Sequence, residues 1–553
     1  MKLNRLRMWA LVCLTAAAAS VRAQSIDALK AVPDDVDAFA VVAKLSDLDK
    51  KASAVAAKLK APPISILDLA SKMLGIGKGI DSNGSAAVAF YMGDGEAAGG
   101  IVILPVTDYK EMLGSVKAKD MDGGLSSFQV FGGKEVIVAK KGNYAFATPA
   151  PHEQLLVKAL KNTKNISAKV AAVEGWLKTQ DVAVVVLEKT LKFGAKMAAE
   201  KIPDELPGVP EEQAKALKMQ LDWARGFAKS VGEEMTHAAL GVKIDDALNA
   251  SVAVNLGYSE KGRFAKWGKQ LSKEHPLAGL PSGPYVFAFG GMFSPDTMKS
   301  LMTMSMDANK EMYKLSEADA KLLEKASLDM MTGMDAMSMA FRAPKQGEAI
   351  FGGTVGVMRV KDSSEYLKRY MESMKTVNKL MKTKGESKAV TVAGKDAIEA
   401  SMDMKAMLQA NPDPNAEMML EKMFGGTTMT FTMAAVDAKT VIFSYLPASK
   451  MKGIVEGYGA DKQLRAESRN EKTLKNLVAD PFFTVLWSPK DTADLVRSVA
   501  KDFGQELPIP AVGVTPPIGI AGRATATTTE IQLLVPVEVL EEIGKLIQQF
   551  TTQ

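Results

Sequence analysis

The sequence is poor in the side chains that thiol and metal chemistry require. Its 553 residues include three histidines and one cysteine. The cysteine, Cys13, lies in an apolar N-terminal stretch, and no two of His152, His237 and His275 are closer than 38 residues. Zinc sites usually group histidine and cysteine ligands at short spacings. The sequence therefore predicts no disulfide, no metal site of this kind and no cofactor.

The N-terminus has the pattern of an export signal. Basic residues precede an apolar stretch, Met8–Ser20, which is too short to cross a bilayer. Val21-Arg22-Ala23 fits a small-residue cleavage motif, and a cut there makes Gln24 the first residue of the mature chain. No later apolar run reaches the roughly 18 residues of a membrane helix. We therefore expect residues 1–23 to be a signal peptide. The mature chain should be exported, to the periplasm or the extracellular space, without a transmembrane segment.

The excess of positive charge is confined to that signal. Four of the 69 basic residues and none of the 64 acidic residues precede Gln24, which leaves 65 basic and 64 acidic residues. Nucleic-acid binding depends on electrostatic attraction to phosphates. Because the mature chain is almost neutral, the sequence predicts no nucleic-acid partner.

Segments of the first half of the chain recur, in the same order, in the second half. The run Pro33–Val41 is similar to Pro281–Phe289, Gly133-Lys134-Glu135 to Gly394-Lys395-Asp396, and Glu205-Leu206-Pro207 to Glu506-Leu507-Pro508. In the first of these matches Phe39 falls on Phe287. The offset between the copies grows from 248 to 261 and then to 301 residues, as insertions would make it do. Similarities that keep their order indicate an internal duplication.

The duplication predicts two domains of similar fold. We place their boundary in the Gly- and Pro-rich stretch after His275, so that the first half covers residues 24–277 and the second covers residues 278–553. The first half carries an additional amphipathic helix over residues 211–233. The second half carries a polar, Met-rich insertion over residues 403–428.

Each half is expected to be α+β. Short apolar runs occur in adjacent pairs joined by Gly- or Asp-containing turns, which predicts antiparallel strands. Helical segments with Ser or Asp caps stand between these pairs, as in Ser488-Pro489-x-Asp491. The pattern predicts a largely antiparallel sheet in each half, with helices packed on one face. Val182–Leu187 is apolar throughout, so parts of the sheet should be buried on both faces.

Two short motifs resemble those of penicillin-recognising enzymes. Ser449-x-x-Lys452 and Ser468-Arg469-Asn470 have the right residues, but they lie too close together and no Lys-Thr-Gly follows. We interpret Ser449 as part of a helix N-terminus. We assign no catalytic residue, and the sequence favours a protein that is not an enzyme.

Two glycine-containing segments are interpreted as local structure. Gly75-Ile76-Gly77-Lys78-Gly79 lacks the spacing of a dinucleotide-binding loop and reads as the end of a helix. Asp81-Ser82-Asn83-Gly84 begins like a calcium loop without continuing as one, and reads as a turn into a strand.

Methionine is concentrated in one region, because 24 of the 33 lie between Met292 and Met451. The local runs are Met298, Met302, Met304 and Met306; Met330, Met331, Met334, Met337 and Met339; and Met402, Met404 and Met407. Three interpretations of the region 292–451 remain open. Spacings of four residues form a helical stripe and favour a core role. Methionine also builds adaptable apolar binding surfaces, and closely spaced thioethers can bind Cu(I) or Ag(I).

Two segments carry a resemblance to a family. The strand at Pro33-Asp34-x-x-x-Ala38-Phe39, and the helix that ends at Gly75-Ile76-Gly77-x-Gly79-Ile80-Asp81, resemble those of large exported bacterial proteins without an assigned activity. The resemblance implies a signal peptide and a duplicated fold, and it carries over no functional residue. We expect a non-enzymatic exported protein, either a binding or cell-envelope scaffold or a carrier of a lipid or another apolar ligand. Its partner would be an apolar ligand or an envelope component.

Overall fold

The chain divides into two compact units. The first contains the residues up to Met197, then Lys229–Ser259 and the chain from Leu534, and the second contains Ala198–Ala228 and Glu260–Leu533. A single cut near residue 277 does not separate these units, because each takes residues from both sides of it. The computed structural model describes residues 26–62, 65–92, 98–130, 132–203, 211–262, 264–267, 274–294, 315–343, 349–380, 385–404, 416–459, 463–502 and 509–551.

Several features expected from the sequence lie outside the described residues. They are the signal segment 1–23, the paired motifs Glu205-Leu206-Pro207 and Glu506-Leu507-Pro508, and Met298, Met302, Met304, Met306 and Met407. Among the helices that the structure does describe, none combines the length and the apolar character that crossing a membrane requires.

The first unit is built on an antiparallel sheet. Its strands are β1 Ala38–Val42, β2 Ala86–Tyr91, β3 Gly99–Pro105, β4 Lys119–Asp120, β5 Ser126–Val130, β6 Lys134–Lys141, β7 Tyr144–Pro149, β8 Val182–Leu187, β9 Met235–Ile244 and β10 Ala250–Tyr258. They pair in the order β4-β5-β6-β7-β3-β2-β1-β8-β9-β10. The antiparallel character expected from the sequence is confirmed.

The helices of this unit begin and end where local sequence directs them. They are α1 Leu45–Lys58, α2 Ile66–Leu74, α3 Tyr109–Ser115, α4 Glu153–Lys161, α5 Ala171–Leu177 and α6 Glu188–Lys201; α7 Glu211–Glu234, whose residues up to Ala228 belong to the second unit, follows and ends at β9. Ser65 and Asp108 cap α2 and α3 by accepting from backbone N–H groups three residues on. Gly75 ends α2 in the left-handed conformation (φ 72°) that favours glycine.

Alternate strand residues of the first unit enter two hydrophobic clusters. Phe39, Ile103 and Phe146 pack in one cluster with Leu156 of α4. Leu104 and its neighbours Ala145 and Ala147 belong to another cluster, which contains Met112 of α3. Because successive strand residues point to opposite faces, the two clusters lie on opposite sides of the sheet. We call the side that packs against α4 and α5 the first face, and the other side the second face.

The second unit is also antiparallel. Its strands are β11 Phe287–Met292, β12 Met334–Phe341, β13 Val355–Val360, β14 Gly385–Val392, β15 Lys395–Asp403, β16 Thr428–Asp437, β17 Thr440–Ser444, β18 Phe483–Trp487, β19 Ile518–Ala524 and β20 Thr528–Val535, whose last two residues fall in the first unit. They pair in the order β14-β15-β16-β17-β13-β12-β11-β18-β19-β20.

Helices of the second unit pack on both faces of its sheet. The helices that follow β10 are α8 Phe264–Trp267, α9 Glu317–Met331, α10 Ser363–Leu380, α11 Ala416–Phe424, α12 Lys452–Gly457, α13 Ser468–Leu474, α14 Pro489–Asp502 and, in the first unit, α15 Val537–Thr551. Val455 of α12 packs with Ile442 on one side, which we call the first face of this sheet, and the opposite side is its second face. Tyr366 of α10 packs on the second face with Met358 and Val441. The expectation that helices cover only one face is therefore wrong for both units.

The strand match proposed from the sequence is out of register by one residue. Phe39 lies on the first face of its sheet, in the cluster with α4. Phe287 lies on the second face, because its neighbour Ala288 occupies the first-face cluster of the second unit. A shift of one residue turns every side chain to the other face. Phe39 and Phe287 therefore do not lie on the same face, whereas Phe39 and Ala288 both lie on the first face of their sheets.

The paired glycine turns also occupy different places in the two units. Gly133 lies between β5 and β6, and β6 pairs with β7. Gly394 lies between β14 and β15. β15 does not pair with β17 directly, because β16 lies between them, and β17 is the partner of β13. The matched sequence Gly-Lys-Glu/Asp therefore marks similar turns at non-equivalent positions.

Candidate functional site

The three histidines lie in separate surroundings. Buried His237 on β9 bonds through Nε2 to Asn255 Oδ1 at 3.0 Å. His275 accepts a hydrogen bond at Nδ1 from Leu277 N at 3.1 Å, and His152 ends a short 3₁₀ turn before α4. In the residues that the structure describes, no three His, Cys, Asp or Glu side chains are grouped so as to hold a metal ion.

The described methionines are distributed between cores and a sheet face. Met334, Met358 and Met433 are buried in one cluster on the second face of the second unit. Met402 on β15 pairs across the strands with Met429, and Met404 N donates to Thr427 O. These positions support the core interpretation for part of the region 292–451.

The residues of the enzyme-like motifs have structural surroundings. Ser449 lies in the exposed 3₁₀ turn Ala448–Lys450, and Lys452 begins α12 and pairs with Glu456. Asn470 is fully buried and accepts a hydrogen bond from Tyr285 Oη at 2.6 Å. The turn expected at Asp81–Gly84 is confirmed, because Asn83 N donates to Asp81 Oδ1 at 3.0 Å.

A buried polar network surrounds Tyr285, which sequence inspection did not reveal. The Arg469 guanidinium lies 5.0 Å from the centre of the Tyr285 ring and 3.3 Å from both Glu467 Oε2 and Asp491 Oδ2. Asp491 in turn accepts from Ser488 Oγ at 2.6 Å. The Ser488-Pro-x-Asp491 cap was visible in the sequence, but its partners are far away along the chain. Each of these charged side chains has a partner, so we interpret the network as one that stabilises the fold.

The second face of the second sheet is an extended apolar surface, which we call the aromatic face. It consists of three rows of directly paired residues across β19, β18, β11, β12, β13 and β17. The rows are Ile518, Trp487, Phe287 and Phe341; Ile520, Val485, Phe289, Met339, Gly356 and Phe443; and Gly522, Phe483, Gly291, Met337, Met358 and Val441. Every one of these positions is apolar, aromatic or glycine.

The aromatic face is covered unevenly. Tyr366 and Tyr370 of α10 pack over its β13–β17 end, where Met358 and Val441 are buried. Toward β18, side chains on the first face are buried, such as Leu486, while their neighbours on the aromatic face remain partly exposed. The indole of Trp487 is 44% exposed, and its Nε1 donates to Thr492 Oγ1 at 2.7 Å. Large apolar side chains therefore stay in contact with solvent at this end.

The aromatic face continues into a set of stacked rings at its edge. Phe287 and Phe341 stack with centroids 5.2 Å apart, and Phe341 lies 5.5 Å from Phe351. Phe351 stacks on Phe424 of α11 at 5.2 Å, and Tyr445 lies 5.7 Å from Phe351. The Met-rich insertion expected over residues 403–428 thus places its helix α11 against this aromatic group.

The first unit has a corresponding face of different chemistry, which we call the aliphatic face. Its rows are Val252, Val242, Val182, Val42 and Ala86; Val254, Leu240, Val184, Ala40, Val88, Val102 and Ala147; and Leu256, Ala238, Val186, Ala38, Phe90 and Gly100. Leu240 is 47% exposed and Val252 is 39% exposed. The all-apolar strand Val182–Leu187 is explained by this arrangement, because both faces of the sheet are apolar.

The fold and the faces define a class: an antiparallel α+β protein in which the strands of each unit keep a second, partly exposed apolar face. No protein-family model, no curated protein and no solved structure matches the chain.

Proposed function

We propose that this protein is an exported, non-enzymatic binding protein for a lipid or another apolar ligand, and that the ligand lies on the aromatic face. The observation that carries the proposal is the partial exposure of Trp487 and its neighbours in three wholly apolar rows. Water contact with large apolar side chains is unfavourable by about 25 cal/mol per Å². Contiguous exposed apolar surface commonly marks a binding site.

The chemistry of the aromatic face favours an apolar ligand over a polar one. A sugar or a peptide backbone needs hydrogen-bonding partners, because burying an unpaired polar group is unfavourable by about 1–3 kcal/mol. Among the described side chains of the three rows, the only such group is the indole N–H of Trp487, and it already donates to Thr492 Oγ1. Methionine at Met337 and Met339 adds side chains that adapt to ligands of varied shape.

We also propose that the two units descend from a duplicated α+β ancestor. The supporting observations are the identical strand orders and one further pair of contacts. Pro33 bridges to Asn165, and Ile166 N donates to Val32 O at 3.0 Å. At the offset of 248 residues, Pro281 bridges to Gln463, and Leu464 N donates to Leu280 O at 2.8 Å. The same combination of an isolated bridge and an adjacent backbone hydrogen bond occurs in both units, and two folds of independent origin would have no reason to share it.

The binding proposal is tested with dibrominated stearic acid, whose bromine atoms quench a tryptophan that they touch. The wild-type protein should show saturable quenching as the ligand is titrated. The matched variant Trp487→Phe keeps an apolar ring at the same place. It should still bind the ligand by isothermal titration calorimetry while the saturable quenching disappears.

Two outcomes would contradict this assignment. Saturable quenching that persists in Trp487→Phe would place the ligand elsewhere. Absence of binding by the wild type, together with absence of lipid in mass spectra of protein purified from its native host, would exclude the carrier function. An envelope scaffold would then be the better explanation of the exposed rows.

A further inference from the structure

Two methionines of the second unit face each other across neighbouring strands. Met402 on β15 is paired with Met429 on β16, and its other partner is Gly385 on β14. Directly paired residues have Cβ atoms roughly 4.5–5.5 Å apart, so the two thioethers can reach a common point. They lie on the second face of the sheet, because Ile398 and Met433, an even number of positions away on the same strands, belong to the second-face cluster.

Helix α10 crosses the second face at this end of the sheet, where it contacts β16, β15 and β14. The ring of Tyr370 lies edge-on to the ring of Phe431 on β16, with the two centroids 6.1 Å apart. Two turns later, Asn378 lies against β14, because a Cβ on Gly385 would stand 2.5 Å from Asn378 Nδ2. Between these two contacts the helix therefore passes over β15.

The side of α10 that faces the sheet carries a third methionine. Residues four apart on a helix lie above one another on the same side, so Met374 stands between Tyr370 and Asn378. Met374 is buried, and its place on the helix puts it over β15, where Met402 is a second-face residue. Met374, Met402 and Met429 thus converge beneath α10, and we call them the thioether group.

The strand residues around the thioether group carry no charge. Carboxylates and several oxygen ligands, which Ca²⁺ and Mg²⁺ require, are absent from these described positions. A thioether is a soft ligand and suits Cu(I). The two second-face rows at this end are Gly385, Met402 and Met429; and Ser387, Ala400 and Phe431.

The exposure of the thioether group distinguishes it from the methionines of the core. Met358 and Met433 are buried in the second-face cluster, among other apolar side chains. Met402 and Met429 are only half-buried. An ion can therefore reach their sulfurs from solvent and find the sulfur of Met374 on the side of the helix.

We propose that Met374, Met402 and Met429 form a binding site for Cu(I), which is independent of the apolar ligand proposed above. The three sulfurs supply soft ligands to the ion, which binds in its reduced state, so that no electron transfer is involved. Of the run Met402, Met404 and Met407 in the sequence, only Met402 belongs to this site. Met404 lies in the turn after β15, and Met407 lies outside the described residues.

The test titrates the full mature chain with Ag(I), a redox-stable probe of Cu(I) sites, by isothermal titration calorimetry in chloride-free buffer. Anaerobic competition with the chelator bathocuproine disulfonate then measures the affinity for Cu(I) itself. One ion should bind tightly per chain, and the X-ray absorption spectrum of the Cu(I) form should show sulfur ligands alone.

The informative variants are Met402→Leu and Met429→Leu. Leucine nearly conserves the volume of methionine, so the circular dichroism spectrum should be unchanged. Each variant should weaken Ag(I) and Cu(I) binding by at least about tenfold, since the loss of a group that merely orients a metal ligand already has such an effect. Saturating Ag(I) should raise the thermal unfolding midpoint of the wild type and leave that of the double variant unchanged.

The matched control is Met433→Leu. Met433 lies on the same strand and the same face as Met429, but its partners are Ile398 and Phe443 rather than a methionine. This variant should bind Ag(I) as the wild type does. A second control, the double variant Met418→Leu/Met419→Leu, removes two exposed thioethers of α11 and should also leave the affinity unchanged.

Three outcomes would overturn the proposal. The first is a wild-type chain that binds neither Ag(I) nor Cu(I). The second is undiminished binding by folded Met402→Leu and Met429→Leu, or a loss of binding in Met418→Leu/Met419→Leu instead, which would place the ion on exposed thioethers. The third is a Cu(I) spectrum dominated by nitrogen or oxygen ligands. Quenching by the brominated fatty acid should be the same in Met402→Leu as in the wild type, so the two proposals stand or fall separately.

Discussion

The imidazole of His237 lies directly against Gly257, its partner across β9 and β10, in the space that a side chain on the glycine would need. The ring is buried and bonded to Asn255. Burial lowers the pKa of His237, so the ring is held neutral. A histidine that sequence inspection could treat as a ligand candidate is therefore a packed part of the first sheet.

We expect Gly257→Ala to destabilise the first unit by about 1–3 kcal/mol, because the added methyl group displaces the ring and breaks its bond to Asn255. Urea unfolding should show a lower midpoint for this variant. Gly226→Ala is the control, since a Cβ at that helical glycine meets no atom within 4 Å. A urea midpoint for Gly257→Ala equal to that of the wild type would show that the His237 ring can move aside without a loss of stability.

Lys51 and Asp181 form a buried ion pair in the first unit. Lys51 Nζ lies 3.7 Å from Asp181 Oδ1 and donates to Ile244 O at 3.2 Å, while Asp181 Oδ2 accepts from Ile244 N at 3.1 Å. We expect Lys51→Met to destabilise the fold by about 3–5 kcal/mol, because Asp181 is left buried without its counter-charge. Lys178→Met, which removes an exposed pair with Glu174 on α5, should change stability by less than about 1 kcal/mol.

The effect of Lys51→Met should depend on pH. Burial raises the pKa of Asp181 to about 6. Between its ordinary value near 4 and that pKa, the folded state holds the proton and the unfolded state does not, so this group contributes more stability as the pH falls. The destabilisation by Lys51→Met should therefore shrink between pH 7 and pH 5 in urea titrations. A pH-independent loss would contradict this assignment.

In the second unit, His275 should give stability the opposite dependence on pH. Burial, with the nearby Arg465 and Arg359, lowers its pKa to about 4. Below its ordinary value of about 6.5 the unfolded state takes up the proton first, so stability is lost as the pH falls from 6.5 toward 4. After allowance for partial exposure we expect a loss of about 1–2 kcal/mol. Arg359 is also paired with Glu274, which limits its repulsion.

His275→Asn is the variant for this prediction, because its side-chain oxygen can still accept from Leu277 N. Hydrogen exchange of peptides from β11 and β12 should lose protection between pH 6.5 and pH 4.5 in the wild type, and lose less in the variant. Peptides from β8 and β9 serve as the internal reference in the first unit. Equal losses in wild type and variant would assign the acid sensitivity to other groups.

The C-terminal helix α15 packs closely on the end of α1. A Cβ on Gly544 would stand 2.8 Å from Lys58 O, and Lys58 Nζ lies 2.6 Å from Glu541 Oε1. We expect Gly544→Val to detach α15, because backbone atoms cannot move aside. Limited proteolysis should then remove the C-terminus at least about tenfold faster. Ile547→Ala, at a side chain that is 50% exposed, should leave the rate near that of the wild type.

Local sequence was enough to predict many individual elements. The cap at Ser488 and Asp491, the left-handed end of α2 at Gly75 and the turn at Asp81–Gly84 each depend on a few neighbouring residues. The helix expected over residues 211–233 is present as Glu211–Glu234. Adjacent strand pairs predicted antiparallel pairing for the same reason, since a short turn leaves no other geometry.

The face on which each strand residue lies could not be predicted. In Phe287-Ala-Phe-Gly-Gly-Met every residue is apolar or glycine, so the alternation that normally marks the buried face is absent. The aromatic face was missed for this reason, and Phe39 was matched to Phe287, although it is the neighbouring Ala288 that lies on the first face. Its one local signal was the excess of glycine and aromatic residues in β11, which indicates close packing.

The sequence by itself determined the strands, the helix ends, the low content of ligand residues and the apolar character of the sheets, because each of these depends on composition or on residues a few positions apart. Only the tertiary structure decided that helices cover both faces, that Phe483 lies over Gly522, that Lys51 meets Asp181 and that α15 joins the first unit. These contacts connect residues tens to hundreds of positions apart. Strand register selects the pair of Phe483 and Gly522, which a shift of a single residue would replace, and the packing of helices selects the other contacts.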